Sequence, residues 1–217
     1  TTAVYWNTPH NPTGKIIPRS WLEAMADWAS EQGLWIIADE VYEAYAYAGE
    51  HVYTRPLAPE RTVAAYSFSK AYGMAGNRCG YLIGPAAAIG AILRVTRNSY
   101  YSVNTAAQLA AIECLNGRGS PWIQSAREQY QALGNHAADR LGVPRPEGST
   151  FLFFDVGEHL DDRGLQGFLE DCADQGLLVA PGSSFGPYPT HVRLCFTSAE
   201  PHRIRGGVEV IAKRMGR

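Results

Sequence analysis

The spacing of apolar residues changes several times along the chain, and each change marks an element. Ala3 to Trp6 is a short apolar run that ends in the turn-rich stretch Asn7-Thr8-Pro9-His10-Asn11-Pro12-Thr13-Gly14. Pro18 is well placed to open a helix, in which Trp21, Leu22, Met25, Trp28 and Ala29 recur at helical spacing and which Gly33 closes. Leu34-Trp35-Ile36-Ile37-Ala38 is a continuous apolar run, the pattern of a strand buried on both faces of a parallel sheet, and it ends at Asp39-Glu40. Thr62 to Phe68 repeats the pattern and ends at Ser69-Lys70. Tyr81-Leu82-Ile83, after Gly80, is a further short strand candidate.

From Ala86 to about Leu141 the pattern turns helical, with long segments over Thr105 to Leu115 and Trp122 to Leu141. Gly148-Ser149-Thr150 then leads into a strand from Phe151 to Val156. A helix over Leu165 to Asp174 follows, then short strands at Leu177 to Ala180 and Val192 to Phe196, and a final helix from Pro201 to Met215. The order predicts an α/β fold: part of a mostly parallel sheet flanked by helices over 1–115, then a connecting helix and a small C-terminal α+β domain over 116–217.

This winding carries a functional expectation, because ligands of open α/β sheets bind outside the carboxyl ends of the strands. Asn11, Asp39 and Lys70 each fall just past a different strand, which predicts one shared crevice. Lys70 is the most informative of the three. It lies in Ser67-Phe68-Ser69-Lys70-Ala71-Tyr72-Gly73-Met74-Ala75-Gly76-Asn77-Arg78-Cys79-Gly80, beside two hydroxyls and eight residues ahead of an arginine. Such a group suits an aldehyde cofactor bearing a phosphate: the amine forms a Schiff base, while the hydroxyls and guanidinium bind the dianion. Glycines at 73, 76 and 80 let the segment turn tightly around the anion.

Composition narrows the class. The 217 residues are 46% hydrophobic and 18% charged, enough to bury a real core. A net charge of −2 without a basic run gives no sign of a nucleic-acid partner. The longest uncharged apolar stretch, between Arg78 and Arg94, contains Pro85 and several glycines and is shorter than the ~20 residues a membrane helix needs. Cys79, Cys114, Cys172 and Cys195 are far apart, as expected of thiols in a reducing cytoplasm. No His/Cys/Asp spacing fits a metal site, and His10 and His191 read as hydrogen-bonded structural residues. No signal peptide is visible. Val4-Tyr5-Trp6 reads as a strand already in progress, which suggests part of a longer protein.

The motifs taken together resemble the signature set of pyridoxal-phosphate-dependent aminotransferases of class I/II (fold type I). Asn7 to Gly14, Asp39-Glu40-Val41-Tyr42, Ser67 to Gly80 and the late Arg193 come in that family's order. The resemblance implies pyridoxal 5′-phosphate as cofactor, with Lys70 holding it and then shuttling the substrate proton. Asp39 pairs with the pyridine nitrogen, Tyr42 and Asn11 donate to the cofactor's 3′ oxygen, and Ser67, Ser69 and Arg78 bind its phosphate. Arg193 clamps the α-carboxylate of an amino acid or 2-oxo acid substrate. A homodimer and a cis Asn11–Pro12 peptide are further implications of the family.

Family members are considerably longer. The part ahead of the matching region supplies early strands, a phosphate-binding turn and an aromatic that stacks on the ring, so the chain corresponds to the C-terminal half to two-thirds. The same residue set also serves β-lyases, racemases and decarboxylases, because the cofactor does the hard chemistry and the protein chooses which bond breaks. A non-catalytic use of the scaffold is the third alternative, and the residues leave the amino donor open.

Overall fold

A computed structural model describes residues 1–217. The chain divides into two units, Thr1–Pro9 with Ile16–Ala126, and His10–Lys15 with Arg127–Arg217. The turn-rich segment after the first strand therefore belongs with the C-terminal residues.

The first unit is built on a four-stranded sheet of β1 (Ala3–Asn7), β2 (Trp35–Asp39), β3 (Thr62–Ser67) and β4 (Gly80–Ile83), in that spatial order. The first three strands are parallel and β4 returns antiparallel to β3. Asn7 pairs with Asp39 and Asp39 with Ala65, so the strands end together at one edge. Helix α1 (Arg19–Glu31) connects β1 to β2, and the one-turn α2 (Phe68–Ala71) begins where β3 ends. Helices α3 (Ala86–Ser99) and α4 (Thr105–Glu113) follow. A single π turn at Cys114–Arg118 then leads towards α5 (Ser120–Leu141), which starts in the first unit and ends in the second.

α1 starts at Arg19 behind Pro18, whose fixed φ suits a helix entry, and stops before Gly33, which turns the chain at φ 69°. Its inner stripe of Leu22, Ala26 and Ala29 packs on Trp6, Leu34, Ile36 and Ala58. That covers one face of the sheet only. Trp35 and Ile37 are 39% and 43% exposed on the other face, and Tyr5 is 61% exposed. The expectation of a β2 buried on both faces is therefore corrected. A continuous apolar run shows that both faces tolerate apolar contact, and here only the face bearing Ile36 and Ala38 is buried.

The second unit holds an antiparallel sheet ordered β5-β7-β6, from β5 (Phe151–Asp155), β6 (Ala180–Pro181) and β7 (His191–Cys195). α6 (Gly164–Asp174) packs on α7 (Pro201–Arg214), and Arg214 Nε joins them by donating to Asp171 Oδ2 at 2.7 Å. The strand expected over Leu177 to Ala180 is shorter than the sequence suggests: only Ala180–Pro181 pairs, and Leu178 is exposed. Three apolar residues in a row do not make a strand where no neighbour takes up their backbone groups.

The segment His10–Lys15 is fastened to this unit by its backbone. Gly14 O accepts from Glu147 N and Gly148 N, both at 2.9 Å, and Lys15 Nζ meets Glu147 Oε1 at 2.6 Å. Gly14 sits at φ 68°, and a Cβ there would lie 2.7 Å from Phe151 O, so only glycine fits. The Thr8–Pro9 and Asn11–Pro12 peptides are both cis.

Candidate cofactor and substrate site

In the first unit the sequence-predicted residues gather at the carboxyl edge of the parallel strands. Asp39 closes β2. Its carbonyl accepts from Asn7 Nδ2 at 2.8 Å and Thr8 N at 3.1 Å, which pins the backbone. Its carboxylate is pinned too: Oδ1 accepts from Val41 N at 3.3 Å and Oδ2 from Tyr5 Oη at 2.8 Å. Partial burial, the hydrogen bond to Asp39 and that carboxylate's charge push the Tyr5 phenol up to about 12, so it stays a donor at neutral pH. Tyr5 was not singled out by the sequence. Its reach to Asp39 depends on the parallel register, Tyr5 opposite Ile37 and Asn7 opposite Asp39, which periodicity alone does not give.

Tyr42 follows in the loop after β2 and is 4% exposed, with Lys70 Nζ 5.7 Å from its ring centroid. Lys70 is itself exposed on α2. Ser67 caps that helix, its Oγ accepting from Ser69 N at 3.1 Å. Phe68 N, between the two serines, donates to Cys79 O at 3.2 Å, which fixes the backbone beside Arg78 next to the serine turn. Arg78 lies in the left-handed region at φ 51°, exposed, with one guanidinium nitrogen donating to Ala75 O at 2.9 Å. Of the glycines expected to tighten this segment, Gly73 adopts φ 64°, and a Cβ on Gly80 would come within 2.6 Å of Tyr66 O. Gly76 has open space and an ordinary φ, so nothing local requires it.

Beneath this edge lies a buried polar cluster that the sequence did not reveal. Glu40 is fully buried, accepting from Tyr66 Oη at 2.6 Å and Thr54 N at 2.7 Å, with His51 Nε2 at 3.7 Å. Burial alone would raise its carboxyl pKa. The neighbouring His51 imidazole and the hydrogen bonds from Tyr66 and Thr54 outweigh that and hold it below the ordinary value. Glu43, one turn on, has the opposite balance. Its Oε2 is buried without a partner, and burial, with the nearby Glu40 charge adding to it, pushes its carboxyl up to about 7.

Glu43 gives a prediction with a definite sign. A carboxyl whose folded pKa is raised stabilises the fold below its unfolded value, near 4.5, and the contribution disappears as pH climbs to about 7. Glu43→Gln removes that titration. At pH 8 the variant is expected to be more stable than the parent, by on the order of 2 kcal/mol, and at pH 4 equal to it. Urea midpoints measured across that range check it; a constant difference at all pH values would contradict it.

In the second unit, Arg193 projects from β7. Its guanidinium carbon lies 4.3 Å from the ring centroid of Phe151 and 4.5 Å from that of Phe185, which places the plane between two aromatic walls. Nη1 donates to Asn11 Oδ1 at 2.8 Å, while the buried Nε has no partner in the protein. The structure thus groups Asn11 with Arg193, where the sequence grouped it with Asp39 and Lys70. The pairing spans the length of the chain, so no local pattern announces it.

Residues 1–211 match the family model described as aminotransferase class I and II, and the chain belongs to that family. It is 34% identical to the aspartate/prephenate aminotransferase of Thermus thermophilus, over 100% of this chain and 57% of that protein. It is 33% identical to an arginine–pyruvate transaminase of Pseudomonas aeruginosa, over 94% of this chain and 54% of that protein. The solved Thermus thermophilus aspartate aminotransferase with maleate superposes with a TM-score of 0.89 at 32% identity, over 99% of this chain and 57% of that one. An aromatic aminotransferase from Pyrococcus horikoshii gives 0.89 at 27% identity, over 98% and 59%. The chain therefore spans a little over half the length of the relatives it matches.

Proposed function

We propose that the protein transfers an amino group from an L-amino acid to a 2-oxo acid with pyridoxal 5′-phosphate as cofactor. The observation that carries the proposal is the arrangement of Asp39 and Lys70 at one sheet edge, the carboxylate held by two donors and the lysine exposed beside the buried Tyr42 ring. The residues fit such a group. An anchored carboxylate suits a protonated ring nitrogen, and the capped turn with Ser67, Ser69 and Arg78 suits a dianion. The orphaned Nε of Arg193 suits a carboxylate oxygen.

When bound, the cofactor supplies the electron sink that makes the substrate Cα–H bond acidic. Lys70 Nζ would hold the cofactor covalently between turnovers, then take the proton from Cα and return it. Asp39 would keep a proton on the ring nitrogen. Tyr42 and Asn11 would donate to the 3′ oxygen, the Asn11 amide being oriented by the bond its Oδ1 accepts from Arg193. Ser67, Ser69 and Arg78 would bind the phosphate. Arg193, its plane fixed by Phe151 and Phe185, would clamp the substrate α-carboxylate.

The family also implies a homodimer in the cytoplasm. Four unpaired cysteines and the exposed Leu109 and Ile112 of α4 are compatible with that, and no helix is long and apolar enough to cross a membrane.

The relatives act on acidic and basic amino acids by name, so the test offers both classes and aromatic ones to the cofactor-loaded protein. The expected products are pyridoxamine 5′-phosphate and the oxo acid matching the donor. Carbon dioxide, a β-elimination product or the D-enantiomer would contradict transamination. With the best donor, Arg193→Ala is expected to raise KM about 100-fold, because the carboxylate loses a bidentate charged partner, and Arg193→Lys to recover only part of it. An unchanged KM would remove Arg193 from the substrate site.

A further inference from the structure

Tyr45 belongs to none of the motifs, yet its hydroxyl ends on the peptide carbonyls of Lys70 and Ala71. It is 1% exposed and closes the short 3-10 turn Glu43–Tyr45 that begins just after Tyr42. Its Oη lies 3.0 Å from Lys70 O and 3.2 Å from Ala71 O, one proton shared between two acceptors.

That contact matters because it holds the lysine's own carbonyl, whereas the buried Phe68 and Ala71 and the backbone bonds at Phe68 hold the residues on either side. α2 is four residues long, and a single helical turn has no stability of its own in water. Its geometry comes from whatever grips its ends, since the last carbonyls of a helix lack partners within it. At the N-terminal end the grips are Ser67 Oγ on Ser69 N and Cys79 O on Phe68 N. At the C-terminal end Lys70 O receives only a long bond from Gly73 N, at 3.4 Å, besides the Tyr45 phenol. Three residues before Tyr45, the Tyr42 ring faces the ammonium end of the same lysine, 5.7 Å from Nζ. One loop thus touches Lys70 at its carbonyl and at its amine.

We propose that Tyr45 is a positioning residue for Lys70: by donating to the carbonyls of Lys70 and Ala71 it fixes the turn that aims the lysine amine. The role rests on Lys70 being the cofactor-holding lysine. It is separate from Asp39, which Tyr5 orients, and from the grips on the phosphate donors: Ser69 N is held by Ser67 Oγ at the N-cap, and Arg78, beyond the turn, by Ala75 O. Without the hydroxyl the turn would sample more orientations. The amine would then meet the cofactor aldehyde in a productive direction less often, while the anion would bind as before.

Tyr45→Phe keeps the buried ring and deletes only the donor. The test measures three things at a temperature where both proteins are fully folded. These are the rate at which pyridoxal 5′-phosphate becomes fixable to Lys70 by borohydride, the inhibition of that capture by inorganic phosphate, and amide hydrogen exchange at Gly73 and Met74. Expected are about tenfold slower capture, an unchanged phosphate inhibition constant and faster exchange at both amides. Tyr45→Leu, which also removes the ring, should capture no faster than Tyr45→Phe. Capture at the parent's rate with only a lower melting temperature would overturn the proposal and leave Tyr45 a core residue. A parent protein whose label lands elsewhere than Lys70 would instead overturn the cofactor assignment on which the proposal rests.

Discussion

Lys70→Ala is expected to abolish amino-group transfer, by at least about 10⁴-fold, while leaving the protein folded. Both halves follow from where the lysine sits. Its amine is the only side-chain amine at the sheet edge that carries Asp39 and Tyr42, so no neighbour can take the proton from the substrate in its place. The chain has three lysines in all. Lys15 is ion-paired to Glu147 in the second unit and Lys213 lies in the last turn of α7. The fold, by contrast, asks little of the Lys70 side chain, which is exposed and meets the Tyr42 ring. The turn is held by Ser67, Tyr45, Phe68 and Ala71 instead. A stability loss within about 0.5 kcal/mol is expected from urea unfolding. Residual activity near the parent's level would mean the chemistry does not pass through this amine. A variant that failed to fold would mean that the lysine also holds the fold together.

Glu40→Ala is expected to do the reverse, damaging the fold of the first unit by about 3 kcal/mol. Removing the carboxylate strands the Tyr66 hydroxyl and the Thr54 amide in a buried environment, and it leaves His51, already without a close partner, lined by Tyr53. Trp6 is drawn in as well, since its Nε1 donates to Thr54 Oγ1 at 3.2 Å and it belongs to the core under α1. Tryptophan fluorescence is the right probe, because Trp6, Trp21, Trp28, Trp35 and Trp122 all lie in the first unit. The pH dependence carries the opposite sign to that of Glu43. Glu40 has a depressed folded pKa, so its contribution is present above the ordinary carboxylate range and is lost as pH falls through the folded value. The midpoint difference between parent and Glu40→Ala should therefore shrink in acid. A variant as stable as the parent at neutral pH would mean the cluster is solvated rather than buried.

What could be read from the chain, and what could not, divides by the range of the interactions involved. Local periodicity located β1, α1, β2 and β3 and placed Asp39 and Lys70 at strand ends, because apolar spacing and the polar residues that interrupt it are both local. The α5, α6 and α7 helices were legible for the same reason. Exposure of Trp35 and Ile37 was not, since an apolar run carries no information on whether a second layer covers it. Asn11 was assigned by motif to the cofactor side. Its bond to Arg193 crosses nearly the whole sequence and needed coordinates. Tyr5 on Asp39 and Tyr45 on Lys70 depend on strand register and on the path of a loop, neither of which a single sequence specifies. Glu40 followed Asp39 so closely that it read as part of the same polar stop. Its environment of Tyr66, Thr54 and His51 comes from a neighbouring strand and the loop after β2.

Whether Lys70 holds the cofactor is decided by borohydride reduction followed by peptide mapping. The protein is incubated with pyridoxal 5′-phosphate, reduced, digested and read by mass spectrometry. Lys15, Lys70 and Lys213 lie far apart in the sequence, so mapping assigns the label to its amine directly. The phosphopyridoxyl group is expected on Lys70 alone, at stoichiometric cofactor, and is expected to be absent from Lys70→Ala. Label on Lys15 or Lys213 in place of Lys70, or no label while the protein is folded and turning over substrate, would contradict it.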